Sequence, residues 1–405
     1  MNTITVVDAR MGRGKSSAAI RYMNRYKDSK RFLYITPYLD EVGRICERCD
    51  FDQPDSDHMS KSAELKLHMR MGHNVAATHS LFYLMDAEAM ELVRQQHYSL
   101  IVDESIQVIE RLNISQKDFE LILSQLAVEH EDGRIEWTDD AYTGRFYDYK
   151  EMSDTGSLFR LNNSLLNILN PDLLRSFDEV FMLTYLFDGQ YQKAYLDFFG
   201  FDYTVVGVET DENGYRFSDH PDAPPPLDYR ELIHIIDDAK LNSVGNDKYA
   251  LSKGWYDRRR YDDPDIRKLR NGLKKFFQSI PNGGRETRLW AWFKSDVNKL
   301  VDSRTGRFRN NFLQTSARAT NQYKDRTDIA YLVNRFADPN IMSFFAKQGV
   351  TINPEHFALS EMLQWVWRSA IRDDKPINLY IPSRRMRELL IGWINTTNQG
   401  GYPIE

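Results

Sequence analysis

The chain has 405 residues, 41% of them hydrophobic and 28% charged, with a formal net charge of -6. That length exceeds what a single core usually organises, so two or three domains are expected. The acidic balance excludes a simple basic nucleic-acid glue but leaves room for a local basic groove. No apolar run is long enough to span a membrane, and the N-terminus enters a strand at once, so a cytoplasmic protein without a signal peptide is expected.

Ile4–Val7 reads as a short buried strand. Ala9-Arg10-Met11-Gly12-Arg13-Gly14-Lys15-Ser16 follows, with the G-x-x-x-x-G-K-[ST] spacing of a phosphate-binding loop and Ala9 in the first glycine position. Ser17–Met23 then carries a helical pattern free of Gly and Pro. Strand, glycine-bearing turn and helix are the context in which backbone N–H groups wrap a β-phosphate. Met11, Gly12, Arg13, Gly14, Lys15, Ser16 and Ser17 are therefore the candidate nucleotide-binding residues, with Lys15 reaching the β/γ-phosphates and Ser16 on Mg²⁺.

Further strands are expected at Phe32–Thr36, Asn74–Thr78, Leu100–Asp103, Val180–Thr184 and Tyr203–Val208, alternating with helical segments as in a parallel α/β sheet. Cys46 and Cys49 form a C-x-x-C pair, and a zinc site would need two more ligands, with His58, His68 and His73 downstream. Reduced thiols on a helix are the simpler reading. Between about 115 and 155 the alternation lapses into an insertion whose role is not legible. Residues 1–209 are assigned to a first domain. The polar stretch 210–229, with Pro221, Pro224, Pro225 and Pro226, reads as a linker, and 230–405 as a second domain. That half has strand patterns at Leu232–Ile236, Arg288–Trp292, Ile329–Val333 and Ile377–Ile381. Its helical patterns are Ile266–Ile280, Pro339–Gln348, Ser360–Arg372 and Arg384–Ile394. Two α/β domains in tandem are expected.

Leu100-Ile101-Val102-Asp103-Glu104 places two carboxylates at the C-terminal edge of a buried strand. Asp103 suits Mg²⁺, and Glu104 suits the general base that polarises an attacking water. In Gln364–Arg372, steps of four put Gln364, Arg368 and Arg372 on one helical face, drifting ~40° per step. Two guanidiniums aimed at a γ-phosphate are arginine-finger chemistry.

With these residues in place the chain resembles a superfamily 2 DEAD-like helicase, of the compact type carried by bacteriophages and mobile elements. Gly12–Ser16 looks like motif I, Ile35-Thr36-Pro37 like motif Ia, and Thr78-His79 like the next nucleic-acid-contacting motif. Asp103-Glu104-Ser105-Ile106 is similar to motif II, and Leu183-Thr184-Tyr185 stands where motif III falls. Trp290–Ser295, Arg318–Asn321 and Gln364–Arg372 look like motifs IV, V and VI. The arginines of the last are four apart instead of three, and motif III lacks Ser-Ala-Thr. The resemblance implies two RecA-like domains with ATP and Mg²⁺ in the cleft between them. It assigns catalysis to Lys15, Asp103, Glu104, Gln364, Arg368 and Arg372. It also implies that single-stranded nucleic acid, DNA or RNA, crosses both domains outside the cleft, touching Thr36, Pro37, Thr78 and His79 on the first and Lys294, Ser295, Thr320 and Asn321 on the second. Basic runs at Arg258–Arg260, Arg267–Lys275, Arg304–Arg309 and Arg384–Arg387 are possible groove walls and more ordinarily solvated faces. The implied activity is ATP-driven translocation or unwinding in phage or mobile-element replication or recombination, with replication proteins as further partners. A DNA-packaging ATPase and an ATP-switched loading protein that does not act as an enzyme are the alternatives.

Overall fold

A computed structural model describes residues 3–56, 59–220, 228–281, 283–301, 308–315 and 321–398. The first half builds strands β1 (Thr3–Asp8), β2 (Arg31–Thr36), β3 (Val75–Thr78) and β4 (Tyr98–Asp103). A middle unit holds β5 (Ile109–Arg111), β6 (Ala127–Glu129), β7 (Ile135–Trp137), β8 (Leu158–Leu161) and β9 (Ser164–Ile168). The first sheet resumes with β10 (Glu179–Thr184), β11 (Tyr203–Asp211) and β12 (Gly214–Ser218). Its order is β12-β11-β1-β10-β4-β2-β3, parallel throughout except for β12. Near-continuous burial of β1, β2 and β4 is what a sheet covered on both faces demands.

The second half forms β13 (Ile233–Ile235), β14 (Arg288–Trp292), β15 (Phe312–Gln314), β16 (Asp328–Tyr331) and β17 (Ile377–Tyr380), a fully parallel sheet in the order β13-β17-β16-β14-β15. Two RecA-like parallel-sheet domains thus stand in tandem, as expected.

Three expectations need correction. The polar stretch from 210 is not linker at its start: β11 and β12 form an antiparallel hairpin that widens the first sheet as far as Ser218. Residues 221–227, with the prolines, lie outside the described residues. The insertion is larger than 115–155. It spans β5 to β9, pairs β5-β9-β8 and β6-β7 as antiparallel sheets, and encloses its own core of Phe119, Ile122, Ile135, Trp137, Phe146, Leu158 and Leu165. The helix drawn over Ser360–Arg372 instead runs from Pro354 to Val366. Beyond it, hydrogen bonds tighten to Arg368 N–Trp365 O and Ser369 N–Val366 O, and the Ser369 hydroxyl donates to the Val366 carbonyl at 2.7 Å. Trp367 is also pinned edge-on between Tyr229 and Trp393, so the chain leaves the helical path.

One helix crosses between the halves. Pro339–Lys347 follows β16, yet its Ile341, Phe344 and Phe345 are buried in the core of the first domain, where Phe344 meets Phe159 and Phe198 edge-on or tilted. Phe345→Ala is expected to cost about 3–5 kcal/mol and to release this strap. Urea denaturation would report the loss of stability, and limited proteolysis earlier cleavage between the halves.

Candidate active site

β10 lies between β1 and β4, so the loop after β1 and the acid pair after β4 converge at the C-terminal edge of the sheet. This is where open α/β sheets place ligands. Gly12 and Gly14 both have left-handed backbones, φ 79° and 81°, which glycine adopts without strain. Gly14 caps the helix Lys15–Tyr26, leaving first-turn N–H groups directed at the cleft. The Lys15 ammonium donates to the carbonyl oxygens of Ala9 and Arg10. Tyr215, on the hairpin, lies against Gly14 so closely that a Cβ there would stand 2.3 Å from its ring.

The Ser16 hydroxyl lies 3.3 Å from both carboxylate oxygens of Asp103. Hard oxygen donors converging in this way suit Mg²⁺. Tyr34 donates its hydroxyl to Asp103 Oδ2 at 2.7 Å. Burial pushes the Asp103 carboxyl above its ordinary range, and the Tyr34 hydrogen bond opposes that rise. Glu104 has a left-handed backbone, φ 63°, with its N–H on Leu183 O. A non-glycine residue in that region stores strain of the kind that functional sites retain.

The second domain closes the site. A cavity of about 920 Å³ is walled by Gly12, Lys15, Ser16, Asp103 and Glu104 on one side and by Gln364, Arg368 and Arg372 on the other. Met11, Gly14 and Ser17 also line it. Arg13 falls outside that wall, with its N–H on Arg10 O. Met11 packs against the second domain's core, and Arg372 O stands 3.5 Å from where a Gly12 Cβ would be. Although the helix ends at Val366, the tightened turn delivers both arginines to the cleft. They are not equivalent. Arg372 is exposed at the rim, whereas Arg368 is only 7% exposed and its Nε and Nη1 find no hydrogen-bond partner among the described residues. A buried guanidinium with orphaned donors calls for an anion.

Hydrogen bonds cross between the domains. Ser105 donates to Gln190 Oε1 at 2.8 Å, and Gln190 Nε2 donates to Thr184 Oγ1 and Tyr185 O at 2.8 Å. It also reaches Ser360 Oγ at 3.5 Å, and that hydroxyl accepts from Gln364 Nε2 at 3.2 Å. Thr184 lies in this polar seam and lines the cleft. Gln190 and Ser360 escaped the sequence reading because no local pattern marks them. Asp8, which accepts from the N–H groups of Leu186 and Phe187, had a faint signal as an acid ending an apolar strand.

The residues expected to touch nucleic acid divide. Thr36 is buried in the cleft wall, so it is not on an outer face. His79 is buried too, with Nε2 on the Asp103 carbonyl at 2.9 Å, and acts as a brace for the acid pair. Thr78 caps the turn His79–Phe82. Pro37 is half-buried; Lys294 and Ser295 are exposed after β14, with the Ser295 hydroxyl on Asp296. Thr320 and the Asn321 side chain lie outside the described residues. In the basic run 384–387, Arg385 and Arg387 are spent on backbone carbonyls and Arg384 on Glu388, which makes that run a poor groove wall. Among the described residues no helix is long and apolar enough to cross a membrane.

Comparison with known proteins places the chain. It is 35% identical over 412 residues to the SPbeta prophage-derived uncharacterized protein YonV of Bacillus subtilis (strain 168), covering 97% of this chain and 99% of the relative. The chain belongs to the YonV family. Family models described as the YonV middle domain and the YonV C-terminal Rossmann-like domain match residues 109–167 and 227–394. The first of these YonV segments coincides with the middle unit, β5 to β9. Among solved structures, S. tokodaii Xpd4 aligns over 96% of this YonV-family chain and 93% of its own, at 10% identity and TM-score 0.49. The helicase MrfA bound to DNA aligns over 94% and 44%, at 10% identity and TM-score 0.34.

Two outcomes are expected. Gly14→Ala costs about 1–2 kcal/mol for the left-handed backbone alone and more through Tyr215, measurable as a lowered Tm that Tyr215→Ala partly restores. Asp103→Asn raises Tm at neutral pH. A carboxyl whose folded pKa is raised withdraws stability as pH rises through that pKa, and Asn does not ionise. The difference should shrink as pH falls below the ordinary carboxylate range; a Tm lowered at neutral pH would contradict it.

Proposed function

We propose that this protein is an ATP-hydrolysing motor of the superfamily 2 helicase type, which translocates on or unwinds nucleic acid. The observation that carries this reading is Arg368: a buried, partly unpaired guanidinium from the second domain facing Lys15, Ser16 and Asp103 of the first. Lys15 and the loop N–H groups would hold the β/γ-phosphates, and Ser16 with Asp103 would hold Mg²⁺. Glu104 would take a proton from the attacking water, and Arg368 would neutralise charge developing on the γ-phosphate. Arg372, exposed at the rim, would assist closure. ATP bound with Mg²⁺ supplies the phosphoryl group that is transferred to water.

The hydrogen-bonded chain from Ser105 through Gln190 to Ser360 and Gln364 gives domain geometry a route to the acid pair. Strand binding that biases the relation between domains would thereby set turnover. Single-stranded or forked DNA is the favoured track, and RNA the alternative.

The test is ATP hydrolysis with and without single-stranded DNA and RNA, for the wild-type protein and for Lys15→Ala. Several-fold stimulation by one polymer, abolished in the variant, is expected and would name the track. Hydrolysis indifferent to both polymers would overturn the motor reading. Glu104→Gln should keep ATP binding and lose at least about 100-fold in turnover; a purely ATP-switched protein would keep its function with that substitution.

A further inference from the structure

Among the described residues the C-x-x-C pair does not assemble with His68 or His73, and His58 lies outside those residues. Cys49 is buried at the end of the helix Leu39–Cys49, and burial pushes its thiol up to about 11, which makes it a poor metal ligand. Burial, with the charge of Asp52 second, raises the Cys46 thiol as well. What the fold does assemble is a different set from the same stretch. Asp52, in the loop after that helix, meets His68, in the last turn of the helix Lys61–Arg70, and His73, just before β3.

His68 Nδ1 lies 3.1 Å and His73 Nδ1 2.5 Å from the same oxygen, Asp52 Oδ2, and the two ring nitrogens are 3.5 Å apart. Zinc bonds of about 2.0–2.1 Å set tetrahedral ligands about 3.3 Å apart. The two histidine distances to each other and from His68 to Asp52 bracket that spacing, and His73 needs to retreat by less than an ångström. The three ligand atoms come from three separate segments and lie within 3.5 Å of one another.

The backbone around the set is held independently of any ion. Asp52 donates its N–H to Asn74 O and accepts from Ala76 N, both at 2.9 Å, as a bridge beside β3. Asn74 in turn accepts from Phe32 N through its side chain. His68 is largely shielded, with 19% of its side chain exposed, whereas His73 and Asp52 are open enough at 39% and 45% to admit an ion. The set lies at the N-terminal end of β3, whereas Thr36 and the cleft lie at the C-terminal ends of the same parallel strands.

We propose that Asp52, His68 and His73 bind one borderline divalent cation of the zinc type, with water in the fourth position, and that the ion staples the edge of the first sheet without serving the cleft. Two imidazoles and one carboxylate favour such a cation over Mg²⁺, which prefers an all-oxygen shell. Bound only by the folded chain, it would raise thermal stability.

The test is zinc titration of tag-free full-length protein by calorimetry, with 5 mM Mg²⁺ present to fill oxygen-rich sites, alongside metal analysis of the purified protein. One equivalent of Zn²⁺ bound at micromolar affinity or tighter, with a raised Tm, is expected. His68→Ala and His73→Ala should each weaken binding at least tenfold, and Asp52→Asn several-fold. In all three, ATP hydrolysis measured without zinc should match the wild type. Wild-type protein that binds no zinc overturns the proposal without recourse to any variant, and so does binding left intact in a folded His68→Ala, His73→Ala double variant.

Discussion

Two buried side chains of opposite charge face one cleft from different domains: the Asp103 carboxylate at the end of β4 and the Arg368 guanidinium beyond the helix Pro354–Val366. Each is costly alone. Burial pushes the Asp103 carboxyl up, and two donors of Arg368 lack partners among the described residues. Core packing would favour replacing both with apolar groups. Their presence in one cleft, with the left-handed Glu104 between β4 and the cleft, describes a site whose strain is borne by the surrounding fold.

That fold bears it by joining the halves closely. Tyr185 and Leu186 belong to the chain of the first domain but are buried in the core of the second, and Trp393 donates its indole N–H to the Tyr185 hydroxyl at 2.7 Å. In the opposite direction, Phe344 and Phe345 reach back into the first core. The seam between these exchanges is polar, running through Thr184, Gln190 and Ser360. A polar seam with apolar anchors at either side can shift by small rotations while the anchors hold, which is the physical requirement for coupling cleft geometry to an outer surface. Such a device is consistent with the motor reading and gives each of Gln190 and Ser360 a role that their burial alone does not explain.

Much of this was legible in the sequence because it is local. Buried parallel strands leave apolar runs, so β14 was placed at Arg288–Trp292 as observed and β1, β2, β4 and β10 to within two residues. Ala9–Ser16 is a contiguous motif, and six of the seven residues named from it and Ser17 as candidates for nucleotide binding line the cleft. The middle unit was not legible, because its strands are three to five residues long and its core is drawn from scattered aromatics. The helix terminus at Val366 was missed since Trp367-Arg368-Ser369 has no Gly or Pro; the stop comes from the Ser369 hydroxyl and two distant aromatics. His79 was misassigned for a related reason: a histidine after a strand looks the same in sequence whether it faces a ligand or the Asp103 carbonyl.

The central claim is that Arg368 recognises the γ-phosphate across the domain boundary. Equilibrium binding of ATP and of ADP, in Mg²⁺, to the wild-type protein and to Arg368→Ala tests it most directly, with Glu104→Gln in both backgrounds to prevent turnover. The account predicts that ATP binds at least tenfold more tightly than ADP when Arg368 is present and that the preference collapses when it is removed, while ADP affinity stays within about threefold. An ATP preference that survives Arg368→Ala would contradict it.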